Sequence, residues 1–119
     1  MSKDRTRLLD ILDWARAAMK AAAGRTRADF DTDENFFLAQ VKRVEVVGEA
    51  ASRLTPDTCR LMPEVPWAAV SATRNRLVHA YHEMSRDIVW TAIEIEFPKL
   101  VESVERFLRG GRGQALPDC

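Results

Sequence analysis

The segment ENFFLAQVKRVEVVGEAASRL, residues 34–54, shows apolar side chains recurring every three or four residues, the spacing of an amphipathic helix. One stripe, flanked by further apolar residues, contains Phe37, Val41, Val44, Gly48 and Ala51. Residues 25–33 lack this periodicity, and Asp31 followed by Glu34 resembles a capping box. The pattern predicts a long helix with a wide apolar face. Gly48 either marks close approach of another helix or is tolerated there at a cost of about 1 kcal/mol.

The same periodicity continues on both sides of this helix. Upstream it predicts a first helix over residues 3–23, which Gly24 would end. Downstream, Thr55 is placed as an N-cap and Pro56 as the first helical residue of a short helix reaching Leu61. These signals place a helix before and a short helix after the central one.

Two more helices follow along the chain. One is predicted over residues 67–81, and after a connector at 82–84 the next is predicted to be capped by Ser85 and to reach Arg109. Pro98 must kink or restart that helix because it has no amide proton. No segment shows the two-residue alternation of a strand. The sequence therefore predicts an all-α bundle of four principal helices plus one short extra helix.

Length and composition fit one globular domain. The chain has 119 residues, of which 46% are hydrophobic and 30% charged, so disorder is excluded for its body. We expect the domain to span residues 1–109 and residues 110–119 to form a flexible tail. Cys59 and Cys119 are the only cysteines, and no stretch is apolar enough to span a membrane. A cytoplasmic protein without a disulfide framework is expected.

The stretch RNRLVHAY, residues 74–81, contains the most informative chemistry. Arg74 falls on the side of its helix that carries Trp67 and Leu77 and ought to be buried. A guanidinium there needs a buried carboxylate, a set of carbonyls or an anionic ligand such as phosphate. Asn75 and His79 are four residues apart, so their side chains can meet.

Arg74 and His79 lie about 140° apart around a regular helix but only about 7.5 Å apart along it, so both could approach one phosphate. An imidazole, a guanidinium and an amide suit cleavage of RNA by its own 2′-hydroxyl. The alternative is a salt-bridged helix end with two surface histidines. His79 and His82 have no further ligands for a metal, and no cofactor-binding motif is present.

These residues resemble a known family. Arg74-x4-His79-x-Tyr81, preceded by Trp67 and followed by Asp-Ile-Val-Trp at 87–90, is similar to the Rx4HxY signature of HepT-like toxins of the HEPN superfamily. Residues 43–51 resemble the second-helix segment of that family. The similarity runs in matching order over nearly the whole chain to about Leu108.

The resemblance implies a homodimer of HEPN-like antiparallel bundles, in which the two motifs face each other across a cleft and act as a metal-independent endoribonuclease toxin. It implies that Arg74 polarises the scissile phosphate, that His79 transfers protons and that Asn75 supports one or the other. It further implies a minimal nucleotidyltransferase antitoxin that adds AMP to Tyr81, with a higher assembly of toxin and antitoxin possible. Arg86 departs from the family pattern close to that tyrosine, where an acidic or neutral residue is expected.

Two other hypotheses about the function of the chain stay open. The chain could be a noncatalytic HEPN-like module that docks a nucleotidyltransferase partner, with Arg74 holding a nucleotide or a buried carboxylate. It could also be a purely structural helical dimer. The tryptophans at 14, 67 and 90 are expected in the core or a dimer interface, and Cys59 is expected to be a buried apolar filler.

The net charge of zero is a cancellation, because 18 basic and 18 acidic residues are unevenly distributed. Residues 14–28 carry Arg16, Lys20, Arg25 and Arg27 without an acid, and residues 65–82 are likewise free of carboxylates. Two such stretches in each chain, doubled in a dimer, could form a local positive cleft over RNA. A net charge of zero excludes broad, salt-driven binding of the whole protein surface to nucleic acid. It does not exclude a small site directed at a phosphate group.

Overall fold

The computed structural model describes residues 3–78 and 83–110, and all regular structure in these ranges is helical. In chain order the elements are α1 (Lys3–Ala22), α2 (Asp29–Thr32), α3 (Glu34–Ser52), α4 (Pro56–Arg60), α5 (Trp67–Val78), α6 (Glu83–Thr91), a π-helical turn (Ala92–Glu96) and α7 (Phe97–Arg109). The all-α prediction is confirmed. Within the described ranges there are two short helices, α2 and α4, where the sequence predicted one.

The centre of the fold is α3. Its most extensive contacts are with α5 and α1, and α1 also packs on α7. The wide apolar face explains this position, because its buried residues, Val44 and Val47 among them, allow α3 to pack against more than one helix. Gln40 is also fully buried in α3, where its side-chain amide donates to the carbonyl of Ala18 on α1 at 2.9 Å.

At Gly48 the helices α3 and α5 approach each other closely. A Cβ atom built on Gly48 would lie 3.2 Å from the Cβ of Arg74 and 3.3 Å from the carbonyl oxygen of Val70. Both distances are shorter than ordinary van der Waals contact. Of the two alternatives that the sequence left open for Gly48, the structure therefore supports the close approach of another helix.

Pro98 restarts the last helix as predicted. The backbone stays helical, but one π turn precedes the proline, and the amide of Phe97 donates to the carbonyl of Ala92, five residues earlier. Proline lacks an amide hydrogen and its ring crowds the preceding turn, so the helix widens just before it. Downstream, α7 ends at Arg109, and residues 111–119 of the predicted tail lie outside the described residues.

Two predicted helix caps are wrong. The N-cap of α3 is Asp33 and not Asp31, because the Asp33 side chain accepts a hydrogen bond from the Phe36 amide. Residues 83–91 are all helical, so Ser85 lies inside α6 and does not cap it, while residues 79–82 before them lie outside the described residues.

A buried carboxylate joins α1 to the start of α4. Asp4 is 6% exposed and accepts hydrogen bonds from the Thr55 amide and from the hydroxyls of Thr55 and Thr58. Burial alone would raise the pKa of Asp4, but these hydrogen bonds together outweigh it and lower the pKa. Thr55 thus begins α4 as predicted, although its hydroxyl serves Asp4 and makes no cap hydrogen bond within α4.

The predicted core residues differ in burial. Trp67 is buried and donates its indole N–H to the carbonyl of Met62, Trp90 is partly buried, and Trp14 is 37% exposed. Cys59 is only partly buried, and desolvation raises the pKa of its thiol. No helix within residues 3–78 and 83–110 is both long and apolar enough to cross a membrane.

Candidate active site

An open cleft of about 600 Å³ lies along α1, α3 and α5. Seven charged side chains and Asn75 share its walls, and four of the seven are cations. Its lining residues are Arg7 and Asp10 from α1, Lys42, Glu45, Val46, Glu49, Ala50 and Arg53 from α3 and the following residue, and Arg74 and Asn75 from α5. The cleft therefore brings together side chains that are far apart in the sequence.

The Arg74 side chain extends from the contact between α3 and α5 to the wall of the cleft. Its Cβ lies against Gly48, and its Nη1 donates to the carboxylate of Glu49 and, at 3.0 Å, to the hydroxyl of Ser52. The Nε atom is buried and has no hydrogen-bond partner among the described residues. The base of this side chain is thus fixed, while its guanidinium lies at the cleft wall.

The surroundings of Arg74 differ from the predicted buried position. Its side chain is 33% exposed, and the carboxylate it contacts, that of Glu49, is 45% exposed. The reason is its length, because the aliphatic stem covers Gly48 while the charged head extends to the rim. The sequence analysis allowed a buried carboxylate, a set of carbonyls or an anionic ligand as the partner of Arg74. The structure shows a carboxylate, that of Glu49, but it is not buried.

Glu49 contacts two arginines. It accepts a hydrogen bond from Arg53 at 2.9 Å on its own helix turn and another from Arg74 on α5. The hydrogen bond from Arg53 lowers the pKa of Glu49, and that from Arg74 adds to it against the opposing effect of burial. Glu49 therefore remains charged at neutral pH and orients Arg74.

The four predicted site residues fall into two groups. Arg74 and Asn75 are consecutive on α5 and both line the cleft, with Asn75 exposed. His79 and Tyr81 lie outside the described residues, as does His82. The proposed contact between Asn75 and His79 therefore stays a prediction.

Sequence reasoning gave no role to Glu49, Ser52 or Arg7. Glu49 lies next to Gly48, inside the segment 43–51 that carried the family resemblance, so the close approach at that glycine was the available signal. Arg7 had no local signal, because its place in the cleft depends on how α1 packs against α3.

The predicted positive stretch at residues 14–28 does not line this cleft. Arg16 pairs with Glu105 of α7, Arg25 pairs with Asp29 and Asp33, and Arg27 pairs with Asp31 and Asp87. Acids from later in the sequence thus pair with three of the four basic residues of this stretch, and the positive cleft expected between two protomers stays a prediction. The cations of the cleft are instead Arg7, Lys42, Arg53 and Arg74.

Carboxylates do not gather into a metal site in the part of the chain that the structure describes. No three His, Cys, Asp or Glu side chains there lie close enough together to hold an ion. The cleft carboxylates Asp10, Glu45 and Glu49 are dispersed among cations, and this arrangement suits the binding of a phosphate group by guanidinium side chains.

The comparison with family models and the comparison with individual proteins agree over most of the chain. The sequence model of the Ribonuclease HepT-like family matches residues 11–107. A protein of Thermococcus cleftensis named as a probable ribonuclease HepT is 31% identical over 78 residues, which cover 66% of this chain and 71% of the relative. No solved structure gives a significant match.

Two longer alignments agree with this result. A Methanocaldococcus jannaschii protein whose name marks it as a candidate RNase is 26% identical over 107 residues, covering 90% of this chain and 88% of the relative. Another of that description, from Caldanaerobacter subterraneus subsp. tengcongensis, is 28% identical over 109 residues, covering 92% of this chain and 97% of the relative. From the match over residues 11–107, which include Arg74 and the cleft residues of α3 and α5, we conclude that the chain belongs to the HepT-like ribonuclease family.

Proposed function

We propose that the chain is an endoribonuclease toxin that cleaves RNA without a metal ion, with Arg74 binding the scissile phosphate. The observation that carries this proposal is the position of Arg74, whose Nη1 is held by Glu49 and Ser52 at the wall of an open cleft. Both hydrogen bonds between the Arg74 side chain and other described residues come from Nη1. Nη2 is therefore available to donate to a phosphate oxygen. Membership of the HepT-like ribonuclease family supports the same reaction class.

In the proposed reaction the 2′-oxygen of a ribose attacks the adjacent phosphorus and the bond from phosphorus to the 5′-oxygen breaks. The 2′-hydroxyl loses its proton and the departing 5′-oxygen gains one, which leaves a cyclic phosphate and a free 5′-hydroxyl. We assign this proton transfer to His79, because an imidazole titrates near neutral pH. Arg74 stabilises the negative charge that grows on the phosphate oxygens, and Asn75 supports the phosphate or the histidine.

Regulation is proposed to act at Tyr81. A minimal nucleotidyltransferase antitoxin would add AMP to its hydroxyl, placing bulk and negative charge two residues from His79. Such a group would repel an RNA phosphate and compete for Arg74. The active form is proposed to be a homodimer in which two copies of the motif face each other.

The test of catalysis is cleavage of RNA by purified protein in the presence of a chelator. We expect cutting by the wild type and loss of cutting in Arg74→Ala and His79→Ala, with the oligomeric state retained. Arg60→Ala is the matched control, because Arg60 is exposed on α4 and pairs only locally with Asp57. Undiminished cutting by both site variants would refute the assignment.

The test of regulation is intact-mass measurement after incubation with ATP and the nucleotidyltransferase encoded beside the gene. We expect a mass increase of one or more AMP groups on the wild type and none on Tyr81→Phe. A stable complex with that partner but no RNA cleavage would instead favour the noncatalytic binding module. A growth assay with and without the neighbouring gene would show whether the chain is toxic.

A further inference from the structure

Arg7 is a second cleft cation, and the described residues give it no hydrogen-bond partner. It lies on α1, is half-buried and lines the same cleft as Arg74. Its Nε atom is buried without a partner, and no described carboxylate lies within ion-pair distance of its guanidinium. A guanidinium keeps its charge and presents five donors, so a half-buried one without partners is typical of a site that binds an anion.

The nearby carboxylates do not compensate this charge. Asp10 and Glu45 line the cleft but do not pair with Arg7, and Glu49 is already shared by Arg53 and Arg74. Asp4 attracts Arg7 only through space, since its oxygens accept hydrogen bonds from the threonines that begin α4. Arg7 is therefore the cleft arginine whose donors are left over.

We propose that Arg7 binds a phosphate of the RNA strand that neighbours the phosphate held by Arg74. This inference rests on the proposed function, because it takes Arg74 as the contact to the scissile phosphate. RNA carries a phosphate at every nucleotide, and a strand lying across the cleft from α5 to α1 would present successive phosphates to the two arginines. Lys42, exposed on the same wall, adds to the attraction of the strand.

Arg7 would thus contribute to binding and register but not to the chemical step. Phosphate contacts position a nucleic acid and make its affinity depend on salt. An interaction made equally in the ground state and the transition state raises KM when it is removed, while kcat stays unchanged. Arg74, which contacts the reacting phosphate, should behave differently.

The experiment compares Arg7→Ala with Arg5→Ala, a matched control in which an exposed arginine is removed from the same helix, two residues away. Cleavage of a single-stranded RNA gives KM and kcat. Binding of a 2′-O-methyl oligonucleotide, which lacks the attacking hydroxyl, is measured by fluorescence anisotropy at several salt concentrations. We expect Arg7→Ala to raise KM about fivefold to tenfold at constant kcat, and to reduce the slope of log affinity against log salt by about 0.7. Arg5→Ala should leave both unchanged.

Arg7→Lys guards against a folding defect, since it keeps the charge but loses the planar fork. We expect it to retain the salt slope and to recover part of the affinity, with the same thermal unfolding as the wild type. Equal KM and equal salt slopes for Arg7→Ala and Arg5→Ala would overturn the proposal, even if the wild type cleaves RNA. If the wild type binds the oligonucleotide without cleaving RNA, the proposed function fails. The two salt slopes still decide the role of Arg7.

Discussion

Two regions of this molecule contain both arginines and carboxylates but differ in how completely those charges are paired. The loop cluster, Arg25, Arg27, Asp29, Asp31, Asp33, Arg86 and Asp87, links α2 to its neighbours, and the cleft cluster, Arg7, Glu49, Ser52, Arg53 and Arg74, links α1, α3 and α5. Both bring together arginines and carboxylates from separate helices. They differ in how many carboxylates serve each arginine.

In the loop cluster each arginine forms an ion pair with at least one aspartate, that of Arg86 being with Asp31. Arg25 meets Asp29 and Asp33 and lies 3.9 Å over the ring of Phe36, and Arg27 meets two aspartates. In the cleft cluster a single carboxylate, Glu49, serves two arginines and none serves Arg7. The difference indicates that the loop cluster stabilises the fold, whereas the cleft cluster keeps positive charge available for an anion.

The largest expected effect separates the two clusters by function. Arg74→Ala should lower the rate of RNA cleavage at least about 100-fold, because it removes the charge-assisted contact to the transition-state phosphate. Arg25→Ala should leave cleavage unchanged and lower the free energy of unfolding by about 1 kcal/mol. Cleavage rates and urea unfolding check both variants. Equal loss of activity in the two would remove the functional distinction.

The next effect concerns the helix contact that positions only the cleft cluster. Gly48→Val should lower the free energy of unfolding by about 2 kcal/mol, because a side chain there clashes with the backbone of α5 at Val70. Cleavage should fall as well, since α5 carries Arg74. Gly48→Ala should show the same changes more weakly. Urea unfolding with unchanged stability in Gly48→Val would contradict the close approach.

A smaller effect tests whether Glu49 limits the charge available in the cleft. Glu49→Gln should lower KM for RNA about threefold, because it releases positive charge, and lower kcat about tenfold, because Arg74 loses its orienting carboxylate. Glu45→Gln is the control, since Glu45 lines the cleft on the same helix without an ion pair to Arg74. An equal fall of kcat in both variants would argue against an orienting role of Glu49.

The smallest effect is the acid sensitivity of the loop cluster. The hydrogen bond from the Phe36 amide and the contact with Arg25 lower the pKa of Asp33 in the folded protein. Its charge therefore stabilises the fold above the pKa of an unfolded aspartate, about 3.9, and this contribution is lost as the pH falls through the lower folded value.

Asp33→Asn keeps a side chain that can cap a helix and removes only the charge. Thermal unfolding should show a lower Tm for the variant at neutral pH, and the difference from the wild type should shrink below about pH 4. Asp57→Asn, on the exposed surface of α4, is the control. A difference that persists unchanged at low pH would show that the charge of Asp33 does not stabilise the fold.

Local signals in the sequence were enough for most of the fold. Apolar periodicity gave the long helices, Gly24 with its φ of 77° ends α1, and Pro98 lies one residue into α7. The errors concern helix caps, because Asp31 and Asp33 are both acceptable caps and the local sequence does not choose between them. In the structure Phe36 and Phe37 pack on Phe30, and Asp33 accepts the hydrogen bond from the Phe36 amide. The short helix α2 escaped prediction since four residues are too few to show a period.

The site was predictable only in part, for a related reason. The spacing of Arg74, Asn75, His79 and Tyr81 along one segment is a local property, so a family signature can carry it. The partners of Arg74 lie on another helix, and the structure places Glu49 and Ser52 beside it because Gly48 lets α3 and α5 approach. Burial was overestimated because helix geometry locates the stem of an arginine and not its charged end.

By itself, the sequence determined an all-α domain and membership of a ribonuclease family, because both depend on residue type and spacing along the chain. Only the tertiary structure decided that α3 and α5 approach each other closely at Gly48 and which charges pair. Arg16 meets Glu105 of α7 and Arg27 meets Asp87 of α6, whereas Arg7 and Arg74 share a cleft with too few carboxylates. Electrostatic pairing depends on distances in space, and those are fixed by how the helices pack.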